Sequence, residues 1–482
     1  MARGRTRRSG RAGRLVPVLV PVLVSVPALA GSATAGPADG LRDGPPVYRT
    51  AADAQPIRGT AGRSDAPRID PGTYTDTLAR GDEKYYAVRL DGKSSAYFSA
   101  VAAPPPGSEV ADYTDSLKVS LRDAAGNACS PGGSTSFHGR GMAYPIADYA
   151  TRRIDGPRTN CQQAGAYYVV VKRVGRASAE GAGRWPLELR FQREPGLTGT
   201  PPAQPAPGTW STATPVPLTG GTKRDAEGGT GFNDAGPIGK GVWQDRIRPG
   251  ETRFYRVPVD WGQQLSVSVE LPGGTLVGGR GETGAAAGSE SGSASGSGSG
   301  VPGRGALRGP GVVAGSRLVA SALGLGVYNP ARGPVSDTRF IAYDGKPAAA
   351  RLVTAPVDYG NRYNATAPVS AMRFAGSYYL AVSLHPDAAK YFKDGTPITL
   401  RVDPTGRPQR GPDYREDAAD FSVTPQQRAA AGEGMTAQQV GPSSTLRMVG
   451  YGGISTGVVL LLALGVWAVA ARWRSGGAGR QG

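Results

Sequence analysis

The chain is predicted to be mainly β: two tandem antiparallel β-sandwich domains, jelly-roll-like, with an N-terminal signal peptide and one C-terminal transmembrane helix. Three observations point there. Apolar and polar residues alternate in short runs bounded by Gly, Pro and Asp, and a period of two places every second side chain on one face of a strand. One pattern occurs twice, as LARGDEKYYAVRL at 78–90 and IRPGETRFYRVPV at 247–259, 169 positions apart. Gly 73 and Pro 41 in 482 residues leave room for long loops and few helices.

The two ends decide topology. Arg3, Arg5, Arg7, Arg8, Arg11 and Arg14 precede an apolar core from Leu15 to Leu29. Small residues at Ala28–Leu29–Ala30 and Ala33–Thr34–Ala35 suit a signal peptidase, so residues 1–35 read as a secretory signal. The Arg7–Arg8 pair leaves the twin-arginine route open beside the general secretory one. At the other end Met448 to Ala471 carry no charge over 24 residues. A helix of that length, rising about 1.5 Å per residue, crosses a hydrocarbon core of about 30 Å. Arg472, Arg474 and Arg480 follow and favour the cytoplasmic side. The expected topology is a single pass through the plasma membrane at 447–471, the ectodomain outside and the basic tail 472–482 inside. The formal net charge is +17, and removing the signal and tail arginines leaves +8 outside. That balance favours anionic partners only weakly, and an exported ectodomain argues against nucleic acid.

Residues 36–69 are polar and without period, and read as a disordered lead. Alternation starts near Thr73 and defines the first repeat, 70–195. YYAVRL places Tyr86, Val88 and Leu90 on one face, SLKVSLRD does the same with Leu117, Val119 and Leu121, and WPLELRFQR with Leu187, Leu189 and Phe191. AGAYYVVVKRV is denser and suits a central strand. Cys129 and Cys161 fall in this repeat, and two cysteines in an exported chain are expected to pair. Their bridge is worth roughly 3–4 kcal/mol on the loop-entropy model.

A Pro-rich linker, 196–209, leads to the second repeat, 210–403. Here AGSYYLAV (375–382) answers AGAYYVVV (164–171) at an offset of 211, TPITLR answers WPLELR at the same offset, and VDYGNRY answers ADYATRR at 210. The offset grows because of a Gly/Ser insertion at about 280–312, which cannot build a core and reads as a disordered loop. Residues 404–446 are hydrophilic and weakly periodic, and read as a stalk.

The shared turn is read as structural. Gly81 and Gly250 permit it, Asp82 and Glu251 accept backbone N–H groups in it, and Tyr86 and Tyr255 turn inward from the strand that follows. Leu78, Gly81, Asp82, Tyr85, Tyr86, Val88 and Leu90 resemble the opening of the bacterial pre-peptidase C-terminal domain. Ile247, Gly250, Glu251, Phe254, Tyr255, Val257 and Val259 are a looser second match. The two YY-containing late strands resemble that domain's late strand. The resemblance implies small β-sandwiches that bind substrates or partners beside secreted enzymes. It also implies calcium in some members, for which no ligands map onto this chain; no other cofactor is expected. This chain has no room for the usual peptidase.

Catalytic signals are sparse. His138 lies in a Gly/Ser-rich loop and His385 follows a strand before Pro386. Gly453–Ile454–Ser455–Thr456–Gly457 has the G-x-S-x-G form but opens the membrane helix instead of a strand-to-helix elbow. No H-E-x-x-H or phosphate-loop string occurs. Two acids meeting in space leave no sequence signature, so a cryptic hydrolase or an accessory subunit of an enzyme complex stays as the alternative. Binding is the expected class. Tyr149, Arg152, Arg153, Tyr359, Arg362 and Tyr363 form the candidate ligand surface, where tyrosine faces and guanidiniums suit sugars or anionic polymers. Gly453 and Gly457 are a small-xxx-small pair for helix packing. The chain is thus expected to be a non-enzymatic, membrane-anchored surface protein that engages an envelope polymer or another exported or membrane protein.

Overall fold

The computed structural model describes residues 44–130, 133–154, 160–175, 183–199, 210, 222–277 and 317–434. The segments read above as signal peptide and transmembrane helix, the latter with Gly453 and Gly457, lie outside them, as do the Gly/Ser insertion and the basic tail. Among the described residues no helix is long and apolar enough to cross a membrane.

The strands before residue 195 are β1 (Gln55–Pro56), β2 (Gly72–Leu78), β3 (Glu83–Leu90), β4 (Ser95–Ala102), β5 (Ser116–Asp123), β6 (Thr135–Ser136), β7 (Ile146–Arg152), β8 (Gly165–Val174) and β9 (Trp185–Glu194). They form two sheets, in the orders β1-β2-β9-β4-β7 and β3-β8-β5-β6. The later strands are β10 (Lys223–Asp225), β11 (Gly236–Pro237), β12 (Gly241–Ile247), β13 (Thr252–Val259), β14 (Gln264–Leu271), β15 (Val319–Tyr328), β16 (Arg339–Tyr343), β17 (Ala348–Pro356), β18 (Gly376–Leu384) and β19 (Thr396–Thr405). Their sheets run β10-β12-β19-β14-β17 and β11-β13-β18-β15-β16. Each pair of sheets closes on its own apolar core. Tyr86, Val88, Leu121, Val169, Leu187 and Phe191 meet in the first; Tyr255, Val257, Val267, Leu380, Ile398 and Leu400 meet in the second. Facing sheets with alternating inward residues make a β-sandwich.

Pairing registers repeat along with the sequence. Tyr74 opposes Leu189 as Trp243 opposes Leu400. Tyr86 opposes Val169 as Tyr255 opposes Leu380, and Phe98 opposes Phe191 as Val267 opposes Val402. These are the same two offsets, 169 and 211, read from the sequence. The match of ADYATRR to VDYGNRY does not carry over. Ile146–Arg152 is strand β7, whereas Tyr359–Tyr363 is a 3-10 turn. The strand that takes β7's place beside β14 is β17.

Three segments depart from the sequence reading. The described part of the lead, 44–69, is built into the fold: β1 pairs in parallel with β2, Thr60 and Arg68 bridge Tyr85 and Ala87, and Ile69 is buried. Polar composition hid this because the segment lies along strand edges and satisfies their backbone groups. The described part of the stalk, 404–434, lies against the strands instead of extending from them. It includes the end of β19 and a short helix, α2 (Pro425–Glu433), capped by Thr424 and Gln427. In the linker, Leu197 bridges Tyr414. Cys129 and Cys161 form a disulfide with Cα atoms 5.5 Å apart.

The outer face of the sheet holding β4 and β7 meets the outer face of the sheet holding β13, β15 and β18. Val101 and Ala147 pack there with Phe254, Tyr328 and Ala381. Both faces of β4 are therefore covered, and all eight of its residues are buried.

Candidate functional site

The repeated turn is built identically in both places. Gly81 and Gly250 have φ of 80° and 82°, the left-handed region that a side chain resists. Their N–H groups donate to Arg173 O at 3.1 Å and Leu384 O at 2.7 Å. The carboxylates of Asp82 and Glu251 accept from the N–H of Ala79 and Arg248, each at 2.8 Å. Tyr86 and Tyr255 drop their rings into the two cores and donate to Asp76 at 2.8 Å and Asp245 at 2.7 Å. Those same carboxylates accept from Gly59 and Gly228 N–H at 2.8 Å. Asp76 and Asp245 thus tie the segment before the sandwich to the core tyrosine. Burial and the adjacent Asp76 carboxylate push the Tyr86 phenol well above its ordinary value. The motif's residues are engaged with one another.

The junction between the two sandwiches carries charge. The Glu194 carboxylate accepts from both Arg362 Nη atoms, at 2.8 and 3.2 Å, from Tyr97 Oη at 2.6 Å and from Tyr414 Oη at 2.8 Å. Glu194 and Arg362 side chains are each 1 % exposed. Burial opposes ionisation of Glu194, but the Arg362 charge and these donors outweigh it and hold the carboxyl below its usual range. Glu188 is the second anchor. It pairs with Arg332 and accepts from Asn233 Nδ2 and, at 2.9 Å, from Ala51 N–H. Around these pairs Phe374 packs 4.8 Å from Tyr97 and 4.7 Å from Phe421. A buried ion pair survives when every donor and acceptor finds a partner, and both carboxylates meet that condition.

The structure places the expected ligand-surface residues differently from the sequence reading. Arg362 is in the buried pair just described, its guanidinium 3.3 Å from the Tyr359 ring centre. Tyr359 and Tyr363 are half-buried at the two ends of their 3-10 turn. Tyr149 is half-buried and accepts from the Arg373 guanidinium across the junction. Arg153, just past β7, is half-buried, and burial together with the neighbouring Arg373 charge lowers it to about 10. Arg152 is 1 % exposed. It donates to Cys161 O at 2.7 Å, Gln162 O at 3.2 Å, Gln163 O at 3.3 Å and Ser94 O at 3.4 Å. The expected open patch is thus corrected to a junction at Tyr149 and Arg362, with Arg152 apart from it. Glu188, Glu194, Arg332 and Phe374 were missed, because on an isolated sheet or loop each reads as a surface residue. The one available signal was their unequal fate in the two repeats: Glu188 and Glu194 align with Thr399 and Thr405.

The segment 410–434 closes one side of the junction. Tyr414 reaches Glu194, Asp420 accepts from Arg190 at 2.7 Å and Gln192 at 2.8 Å, and Phe421 joins the aromatic cluster. Beside it lies a cleft of about 750 Å³ lined from both sandwiches, with Arg190, Asn233, Arg256, Arg332 and Tyr379 on its walls. His385 Nδ1 accepts from Asp387 N–H and caps a 3-10 turn, and His138 stands 4.9 Å from the Tyr113 ring. Among the described residues no group of three His, Cys, Asp or Glu is placed to hold a metal ion.

No protein-family model and no curated protein matches the chain. Solved structures overlay on parts of it. The pre-peptidase C-terminal domain of collagenase from Bacillus anthracis is 15% identical, with 28% of this chain and 100% of that one covered, at a TM-score of 0.17. The tandem CBM51 modules of a family 98 glycoside hydrolase from Streptococcus pneumoniae are 7% identical, covering 69% and 83%, also at 0.17. The ANX2 ectodomain from Arabidopsis thaliana is 8% identical, covering 71% and 86%, again at 0.17. Scores this low carry no argument, and the fold assignment rests on the chain's own sheets and registers.

Proposed function

We propose that the protein is a non-enzymatic binding or scaffold protein of the cell envelope, its two sandwiches clamped into one body and tethered by the helix at 447–471. The observation that carries this reading is the junction. Its charged and aromatic groups are engaged with each other, and the tail segment 410–434 is packed over them. Such an arrangement stiffens a platform, and a stiff platform loses little entropy on binding. The expected partner is an envelope polymer or another exported protein, met on the outer surfaces of the stack.

The test uses the full chain in detergent, incubated with purified wall fractions. Retention that falls with added salt supports the reading. Release of soluble wall fragments by the protein would overturn it in favour of a hydrolase.

A further inference from the structure

A second, smaller pocket lies on the first sandwich beside the junction cleft, with which it shares Pro71, Phe191 and Arg193. Its volume is about 400 Å³, in the range that holds a small polar molecule. Four guanidiniums line it, from Arg68, Arg89, Arg152 and Arg193, against two carboxylates, Asp70 and Asp91. Two of the arginines are tied down: Arg193 reaches Asp91 at 3.0 Å and Ser94 Oγ at 3.1 Å, and Arg68 lies 3.4 Å from Asp70. The other two are held differently. Arg89 is exposed, and among the described residues it has no ion-pair partner. Arg152 is buried in the wall and donates to the carbonyls of Cys161, Gln162, Gln163 and Ser94; among the described residues no carboxylate forms an ion pair with it. Those carbonyls occupy most of its N–H donors, so what it lends the pocket is positive charge.

The rest of the lining narrows the chemistry. Leu90, Ala96 and Phe191 give the pocket an apolar floor, and Asp70 and Asp91 put hydroxyl acceptors on its rim. A floor without charge beneath a rim of both signs suits a ring that carries several hydroxyls and one acidic group. Guanidiniums grip carboxylate and phosphate oxygens with paired N–H donors.

We propose that this pocket binds an anionic sugar, a sugar acid or sugar phosphate, with Arg89 and Arg193 on the acidic group, Arg152 adding positive charge from the wall, and Asp70 and Asp91 on the hydroxyls. This rests on the binding reading and names a ligand class for it. Burial, partly offset by Tyr167 and Asp91, holds the Arg152 guanidinium below its ordinary value.

Calorimetric titration of the full chain with glucuronate, glucose 6-phosphate, glucose and inorganic phosphate tests it. The expected result is saturable, salt-sensitive binding of the first two, none of glucose, and weaker binding of free phosphate. The double variant Arg89→Ala/Arg193→Ala changes exposed side chains only, so its melting temperature serves as the folding control. It should lose about tenfold or more in affinity, the scale of losing charge-assisted hydrogen bonds. Three results would each overturn the proposal: no saturable binding of either acidic sugar, phosphate binding as tightly as glucose 6-phosphate, or a folded double variant with unchanged affinity. Wall retention that persists in the double variant would remove this pocket and leave the platform reading standing.

Discussion

Asp148 shows how one side chain's surroundings set a pH dependence. It sits on β7, 4 % exposed, where its carboxylate accepts from Val119 N–H at 2.7 Å. Burial pushes it up to about 7, and the N–H groups of Val119 and Tyr149 with the Lys118 charge offset only part of that. In the unfolded chain the same group ionises near pH 4. Below that pH it is protonated in both states and adds nothing to the pH dependence. Between pH 4 and 7 the unfolded chain gives up the proton first, so stability falls as pH rises, by about 1.4 kcal/mol per unit at most, and levels off above 7. Asp148→Asn removes this dependence and keeps an acceptor for Val119. The variant should be more stable than the parent at pH 8, with the advantage shrinking toward pH 4, as read by urea titrations across that range. Equal pH profiles for the two proteins would mean that the carboxyl titrates as in water. Glu194 works in the opposite sense: its depressed pKa gives stability that is present above the unfolded value and lost as pH falls through the folded one. The two windows barely overlap, so the profiles separate them.

At the scale of elements, the repeated turn carries a prediction of the same sign in both sandwiches. Gly81→Ala and Gly250→Ala each force a Cβ into the left-handed region, at a cost of about 1–2 kcal/mol, and Gly250→Ala costs more, because its Cβ would stand 3.0 Å from Pro45 Cγ where that of Gly81 meets nothing within 4 Å. Gly62, with no positive φ and nothing within 4 Å of where a Cβ would stand, is the control whose Ala variant should melt like the parent. Thermal melts check all three, and a Gly81→Ala protein that melts like the Gly62 control would refute the turn argument. That turn was legible in the sequence because it is local: a glycine, an acid and an inward aromatic at fixed spacing. The strands were legible for the same reason, since alternation is a property of a few neighbouring residues. The junction was not. β19 alternates cleanly between buried residues and exposed or half-exposed ones over Thr396–Val402. β9 begins with the same WPLELR-type pattern, yet Glu188, Gln192 and Glu194 are buried beside Leu187, Leu189 and Phe191. The polar face of β9 reads as solvent-facing until a second sandwich, 144 residues away in sequence for the pair Glu188 to Arg332, covers it. Arg362 and Tyr149 were misplaced by that same step, because no local pattern announces which outer face will be covered. The lead 44–69 and the segment 410–434 escaped for a related reason: they are held by edge pairing and single anchors such as Tyr414 and Phe421, not by a periodic apolar face.

For the molecule as a whole, the question is whether the two sandwiches melt together. Each has a core of its own, so each has the means to unfold separately. What couples them is the junction: two buried ion pairs, the cluster of Tyr97, Phe374 and Phe421, and the tail segment across them. Phe421→Ala removes a buried ring, a loss of about 3–5 kcal/mol at such sites. Glu194→Gln leaves Arg362 buried without its counterion, a loss of similar size. The two residues share partners, so their effects will not simply add. The parent should show one cooperative calorimetric transition, and the double variant two. A reductant assigns them, because Cys129 and Cys161 both lie in the first sandwich. In the double variant, opening the bridge should lower one transition and leave the other in place; in the parent it should lower the single shared one. Two transitions already present in the parent would mean that the junction joins the sandwiches without coupling their stability, and the stiff platform would lose its physical basis.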